Sequence, residues 1–342
     1  MSAASLPEAL AALAAPGTGL VDPVAFLSSY TYRTMTLGTS IVGLTAGALG
    51  TYLYLHKQSL VSDVIGHSAI AGVTTAFITA TAVLGIGGRS ILVLTVGALV
   101  ASTLAVLVAN WIARSSRVGI DAAMAICLAL FYGSGVVMLN AISHSALPER
   151  GGIADYVFGS AATLTRADLT AISCFALAAL TVTALLWKEF KVLAFDPVLC
   201  RTMGFSPRVL SPALLGTVTV AIVIGIKAVG LILMVAFAIM PAAAARQWTR
   251  HLWSMVGLAG LMGSLSAATG SYLAVNLGSI PTGPVIVLVL SAVLAVSLLA
   301  APRRSVLRRR SAQRALRRRL LAEVGSAPAD SRAAAGRTGV ER

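Results

Sequence analysis

The sequence predicts an all-α polytopic membrane protein, a helical bundle of about nine transmembrane helices, and three observations lead there. The 342 residues are 57% hydrophobic and only 11% charged, with a mean hydropathy of +0.88, whereas about a quarter of the residues in a soluble domain are charged. Apolar runs of about 20 residues, the length needed to cross a bilayer, recur along the chain. The cations between these runs gather on alternate connections, as the positive-inside rule requires of a chain threaded through a membrane.

Taken in order, Met1 to Thr31 is rich in Ala, Gly and Pro and forms an extramembrane arm, with 1–33 as its domain. It lacks a basic leading segment, so no cleaved signal peptide is expected. Membrane helices are expected at 34–55, 66–86, 89–113, 119–140, 168–187, 209–226, 229–245, 252–275 and 283–301. The sixth and seventh are one apolar stretch divided by Gly225, Lys227 and Gly230. Gly43, Gly47 and Gly50 in the first helix and Gly257, Gly260 and Gly263 in the eighth are small enough for close helix approach in lipid. The membrane domain spans 34–302, and 303–342 is an Arg-rich tail expected to be disordered.

Charge fixes an expected orientation. After Pro302 the tail carries 12 Arg and 3 acids, a net of +9 out of a total of +14. With that tail cytoplasmic, His56 and Lys57, Arg114 and Arg117, Lys188 to Arg208, and Arg246 to His251 all fall inside and the N-terminus falls outside. Arg89, Arg150, Arg166 and Lys227 are the exceptions. The tail is read as contacting anionic membrane lipid rather than nucleic acid, because no nucleic-acid-binding motif accompanies it. Cys127, Cys174 and Cys200 are isolated, which supports neither a disulfide framework nor a thiolate metal site.

The chemistry concentrates in Ser59 to Val73, SLVSDVIGHSAIAGV, where Asp63 and His67 stand four residues apart as an apolar run begins. On a helix they share one face, one turn apart. Ionisable groups in a membrane helix cost roughly 2 to 3 kcal/mol and face a bundle interior or an aqueous path. A carboxylate with an imidazole suits Mn, Fe or Zn better than Mg, Ca or Cu(I), so the pair reads as part of a metal path. The competing reading makes Ser62 or Asp63 the N-cap of the following helix, with His67 resting at the interface.

A second stretch, Lys188 to Leu210, is amphipathic. Asp196 and Pro197 open a short helix as cap and first-turn proline, Gly204 stops it and Pro207 blocks its continuation. That helix either anchors the bundle at the interface or presents Val198, Leu199 and Met203 to a partner.

Six ordered segments carry a family resemblance: SDVIGHSAIAGV, similar to a D-x-x-S-H-x-x-x-P-G pattern; IDAAMAICLALFYGSGVVML; DYVFGSAATLTRADL; FDPVLCRTMGFSP; AVGLILMVAFAIMPAAAARQWTR; and GSYLAVNLGSIPTGPVIVLV followed by APRR. Over Thr34 to Arg304 the chain resembles the permease subunits of ATP-binding-cassette importers for zinc, manganese and iron, a type related to the cobalamin and siderophore importers. The resemblance implies that Asp63 and His67 line a translocation path. It also implies that Asp121 contributes to that path, with an N-cap as its alternative role. By the same likeness Phe195 to Ser206 forms a coupling helix framed by Asp196, Pro197 and Gly204, with Phe195, Leu199 and Met203 among its contacts, and Pro241 is a helix-breaking gating proline. Gly66 stands where that pattern has Ser, Ala71 where it has Pro, and Ile120 where an acid often precedes Asp121.

The implied partners are a cytoplasmic ATPase subunit, an extracytoplasmic metal-binding protein and a second permease, identical or similar, in a bacterial plasma membrane. The divalent metal is cargo, with no permanently bound cofactor. The chain contains no G-x-x-x-x-G-K-[ST], so ATP hydrolysis is assigned to the partner. The alternatives are a permease for a metal chelate, a proton-coupled secondary metal transporter and an intramembrane metalloprotease. The last lacks H-E-x-x-H, its four His lying apart at 56, 67, 144 and 251.

Overall fold

The computed structural model describes residues 26, 28–56, 59–83, 85, 90–145, 159–278 and 280–301. Most of the arm expected over 1–33, together with Arg89, Arg150 and the tail at 303–342, lies outside them. Every regular element among the described residues is helical. In chain order the α-helices are α1 (Tyr30–Leu55), α2 (Ser59–Ile78), α3 (Ile91–Ser115), α4 (Ile120–His144), α5 (Arg166–Leu185), α6 (Trp187–Phe195), α7 (Pro197–Thr202), α8 (Pro207–Val229), α9 (Leu231–Trp248), α10 (Leu252–Asn276) and α11 (Thr282–Ala300), with a 3-10 turn at Ala161–Thr163 before α5. A wider π-type turn, Thr79–Val83, extends α2.

Seven of the described helices are both long and apolar enough to cross a membrane: α2 to α5, α8, α10 and α11. The first helix is 26 residues long but is diluted by Thr, Gly, Tyr and Arg33, and α9 is short, its apolar stretch being Leu233–Trp248. The first helix also begins a turn earlier than its sequence suggests, taking in Tyr30 to Arg33.

Helix packing follows the small residues. A Cβ on Gly43 would stand 2.5 Å from the Gly263 carbonyl oxygen, and one on Gly47 equally close to that of Ala259, so α1 and α10 run nearly backbone to backbone. Thr39 Oγ1 and Ser271 Oγ join the same antiparallel pair at 3.1 Å. Gly72 and Gly97 do the same for α2 and α3. Gly257 takes no part in this, since a Cβ there would meet open space. With no hydrophobic effect between helices in lipid, such contact is a principal source of cohesion.

The connections sort onto two ends. One end, rich in cations, brings the close of α1 to α6, where the rings of Tyr52 and Phe190 meet edge to face. At the far end Phe26 packs on Tyr32 and Tyr272, and the Arg166 guanidinium sits 5.0 Å above the Tyr30 ring. There Lys227 Nζ lies 2.6 Å from the buried carboxylate of Asp168. The division between α8 and α9 falls on Gly230, at φ 92°. Gly159, at φ 79°, rests so closely against it that a Cβ would stand 2.1 Å from the Gly230 nitrogen.

Candidate metal path

The second helix starts at Ser59, well before the residue 66 expected from hydropathy. Asp63 and His67 therefore lie inside its second and third turns, and neither Ser62 nor Asp63 can be its N-cap. That alternative is removed by where the helix begins. Both side chains are half-buried, one turn apart on one face.

His67 is held by its neighbours rather than by a hydrogen bond. Its ring meets Tyr132 of α4 edge to face, with centroids 5.0 Å apart, and its Nδ1 is buried with no hydrogen-bond partner. A buried, unpartnered polar nitrogen costs about 1 to 3 kcal/mol, while the rest of the residue is only half-covered and so leaves the imidazole partly open beside Asp63. The backbone behind the pair is pinned by Ser102 of α3, whose Oγ donates to the Ile65 carbonyl at 2.8 Å. Gly66 faces the start of α9, and a Cβ there would stand an ordinary 3.5 Å from the Leu231 carbonyl oxygen. The replacement of the pattern's Ser by Gly thus relieves no clash.

The second and fourth helices run parallel in constant register. His67 meets Tyr132, Gly135 meets the backbone at Ile70 and Ala71, and the Thr75 hydroxyl donates to Met138 Sδ at 3.7 Å. In that register Asp121 lies on the Tyr132 face of α4, three turns and about 16 Å nearer the basic end. It is exposed in the first turn of α4, while Gly119 occupies the N-cap position and no side chain caps the helix. The structure therefore separates Asp121 from the pair, while leaving it on the same stripe. Among the described residues no three His, Cys, Asp or Glu side chains converge on one metal position. Toward the far end α2, α3 and α4 border an apolar groove of about 740 Å³ lined by Ala71, Thr75, Leu92, Val96, Phe131 and Met138 among others.

The Lys188 to Leu210 connection forms α6 and α7 at the basic end. Asp196 Oδ1 accepts the backbone N–H groups of Val198 at 2.9 Å and Leu199 at 3.0 Å, Pro197 takes the first helical position, and Gly204 ends the helix at φ 85°. Cys200, on the inner side of α7, is fully buried, while Phe195, Val198, Leu199 and Met203 are exposed. Pro241 lies in the interior of α9, buried, where a Cβ on Gly47 of α1 would approach it to 3.3 Å. Sequence reading missed Tyr132 and Ser102. Both act across helix pairs whose register a single-chain pattern does not encode, although Tyr132 does repeat the Asp121 face at a spacing of eleven.

The chain is 34% identical over 280 residues to the zinc transport system membrane protein TroC of Treponema pallidum, covering 82% of this chain and 92% of that one. It is 33% identical over 282 residues to the manganese transport system membrane protein MntC of Bacillus subtilis, covering 82% of this chain but only 63% of that one. Among solved structures, PsaBC from Streptococcus pneumoniae in complex with Fab superposes with a TM-score of 0.73 at 25% identity, over 84% of this chain and 98% of that one. Residues 28–301 match the profile of the ABC 3 transport family, and the chain, an all-helical membrane permease, belongs to that family.

Proposed function

We propose that this chain is the permease subunit of an ATP-driven importer for a divalent transition-metal ion, namely zinc, manganese or iron. The observation that carries the reading is the Asp63 and His67 pair on one face of α2, both residues only half-covered by their own chain. The names of the TroC and MntC relatives support zinc or manganese as cargo.

A carboxylate and an imidazole on the side of a lone bundle would face hydrocarbon at a cost of roughly 2 to 3 kcal/mol. A second copy, or a similar permease, covering this face converts it into a sealed path with two such pairs. Two mixed oxygen and nitrogen pairs hold a borderline cation while leaving it weakly enough bound to depart. Asp121, lower on the same stripe, offers a further carboxylate on the way out. Cytoplasmic ATPase subunits grip the exposed apolar residues of α7, an extracytoplasmic binding protein delivers the ion, and closure on ATP rocks the bundles so that access alternates. Pro241, which cannot donate to the helix ladder, gives α9 its bending point. In this reading α1 and α9 also cross the membrane, nine crossings in all, with the N-terminus outside and the basic end in the bacterial cytoplasm.

The test is uptake of labelled manganese, zinc and ferrous iron into cells lacking their own importers and supplied with this permease, its ATPase and its binding protein. Accumulation of one metal, abolished in the Asp63→Ala/His67→Ala variant at equal membrane abundance, is the expected result. Undiminished transport in the variant overturns the role of the pair. Wild-type cells that take up a metal chelate but no bare ion overturn the choice of cargo.

A further inference from the structure

At the basic end the turn between α9 and α10 faces α6 across a cavity of about 390 Å³. Trp187, Lys191 and Phe195 line it from α6, and Arg250, His251 and Trp253 from the other side. The α6 residues recur at every fourth position, which places them on one face, and Glu189 of the same helix falls on the other. Lys191 and Arg250 are both exposed, and neither is paired with a carboxylate among the described residues, where the ion pair is that of Lys227 with Asp168. The first turn of α10 adds uncapped amides with no acid among them. The cavity is thus lined by two permanent cations, an imidazole and two indoles, with no acid facing it among the described residues.

We propose that this cavity binds the phosphate headgroup of an anionic phospholipid from the leaflet at the basic end. The cations supply the attraction to phosphate. The indoles choose among sources of phosphate: Trp253, 69% exposed, and Trp187 stand beside the ends of two apolar helices, where amphipathic rings occupy the headgroup level. Leu185, at the end of α5 and two residues before Trp187, is 76% exposed and extends the apolar surface toward the acyl chains. A bare phosphate would leave both the rings and most of the volume unused. The inference rests on the membrane-spanning fold and not on the transported ion, so a failed uptake experiment leaves it intact.

The test is native mass spectrometry of the full-length chain in detergent, titrated with dioleoylphosphatidylglycerol, with dioleoylphosphatidylcholine, and with inorganic phosphate as competitor. One phosphatidylglycerol is expected to bind at least about tenfold more tightly than phosphatidylcholine. Lys191→Gln/Arg250→Gln should lose the single tight site, leaving only the weaker binding that the unchanged Arg-rich tail gives all three proteins, and Lys191→Arg/Arg250→Lys should keep it. Elution volume and unfolding temperature establish that all three proteins are folded. Equal retention of both lipids, undiminished phosphatidylglycerol binding in the glutamine variant, or displacement of the lipid by inorganic phosphate at equal concentration would each overturn the proposal.

Discussion

Tyr132 is the residue on which the orientation of His67 depends, because the imidazole has no hydrogen bond to fix it and leans edge-on against that ring. Tyr132→Phe retains the ring and should leave metal uptake unchanged. Tyr132→Ala frees the imidazole to rotate and should raise the half-saturation concentration several-fold, since an edge-to-face contact is worth about 0.5 to 1.5 kcal/mol. Uptake curves of both variants at matched abundance separate these outcomes, and an equal effect of Phe and Ala would assign Tyr132 a role through its hydroxyl instead. At this scale the acid and the imidazole were legible in the sequence, because charged groups stand out against apolar surroundings. Their depth was not, because hydropathy placed the start of the helix at residue 66 and missed that SLVSDVI already belongs to it.

The helices are separable units whose interfaces make their own predictions. Gly43→Ala would press a methyl group against the Gly263 backbone, and overpacking of that kind destabilises by about 1 to 3 kcal/mol. Thermal unfolding in detergent should show it as a lowered midpoint, while Gly257→Ala, facing open space, should leave the midpoint in place. In α7 the side chain of Asp196 holds two backbone amides, a cap whose loss costs about 1 kcal/mol. Asp196→Ala should therefore reduce ATP-driven uptake without reducing membrane abundance, and Asp196→Asn, which still caps, should restore it. The short helix could be read from Asp-Pro and Gly because those residues restrict the backbone locally. Which of the six glycines make close helix contacts could not, because that depends on the rotation of each helix about its axis.

Across the molecule, Arg166 and Lys227, two of the exceptions to the charge rule, prove to be engaged. Arg166 lies over Tyr30, and Lys227 is neutralised by Asp168, which also accepts the Thr165 backbone N–H at 2.9 Å in a capping box. Lys227→Met should lower stability by roughly 2 to 3 kcal/mol, below the usual range for a broken buried pair because the lysine is 22% exposed. Denaturation of purified protein measures it, and the added change Asp168→Asn should recover part of the loss. The alternating charge pattern was enough to anticipate a threaded bundle, but the pairing of α5 with α8 depends on tertiary contact between segments far apart in sequence.

That separation has a temporal side. Asp168 and Lys227 are made about 60 residues apart, so at ordinary translation rates the carboxylate is synthesised roughly 3 to 12 s before its counter-ion exists. Once it has left the ribosome, the start of α5 must wait at a hydrated surface or beside the insertion machinery. The arrival of α8 then discharges it, making this ion pair a late checkpoint in the birth of the protein.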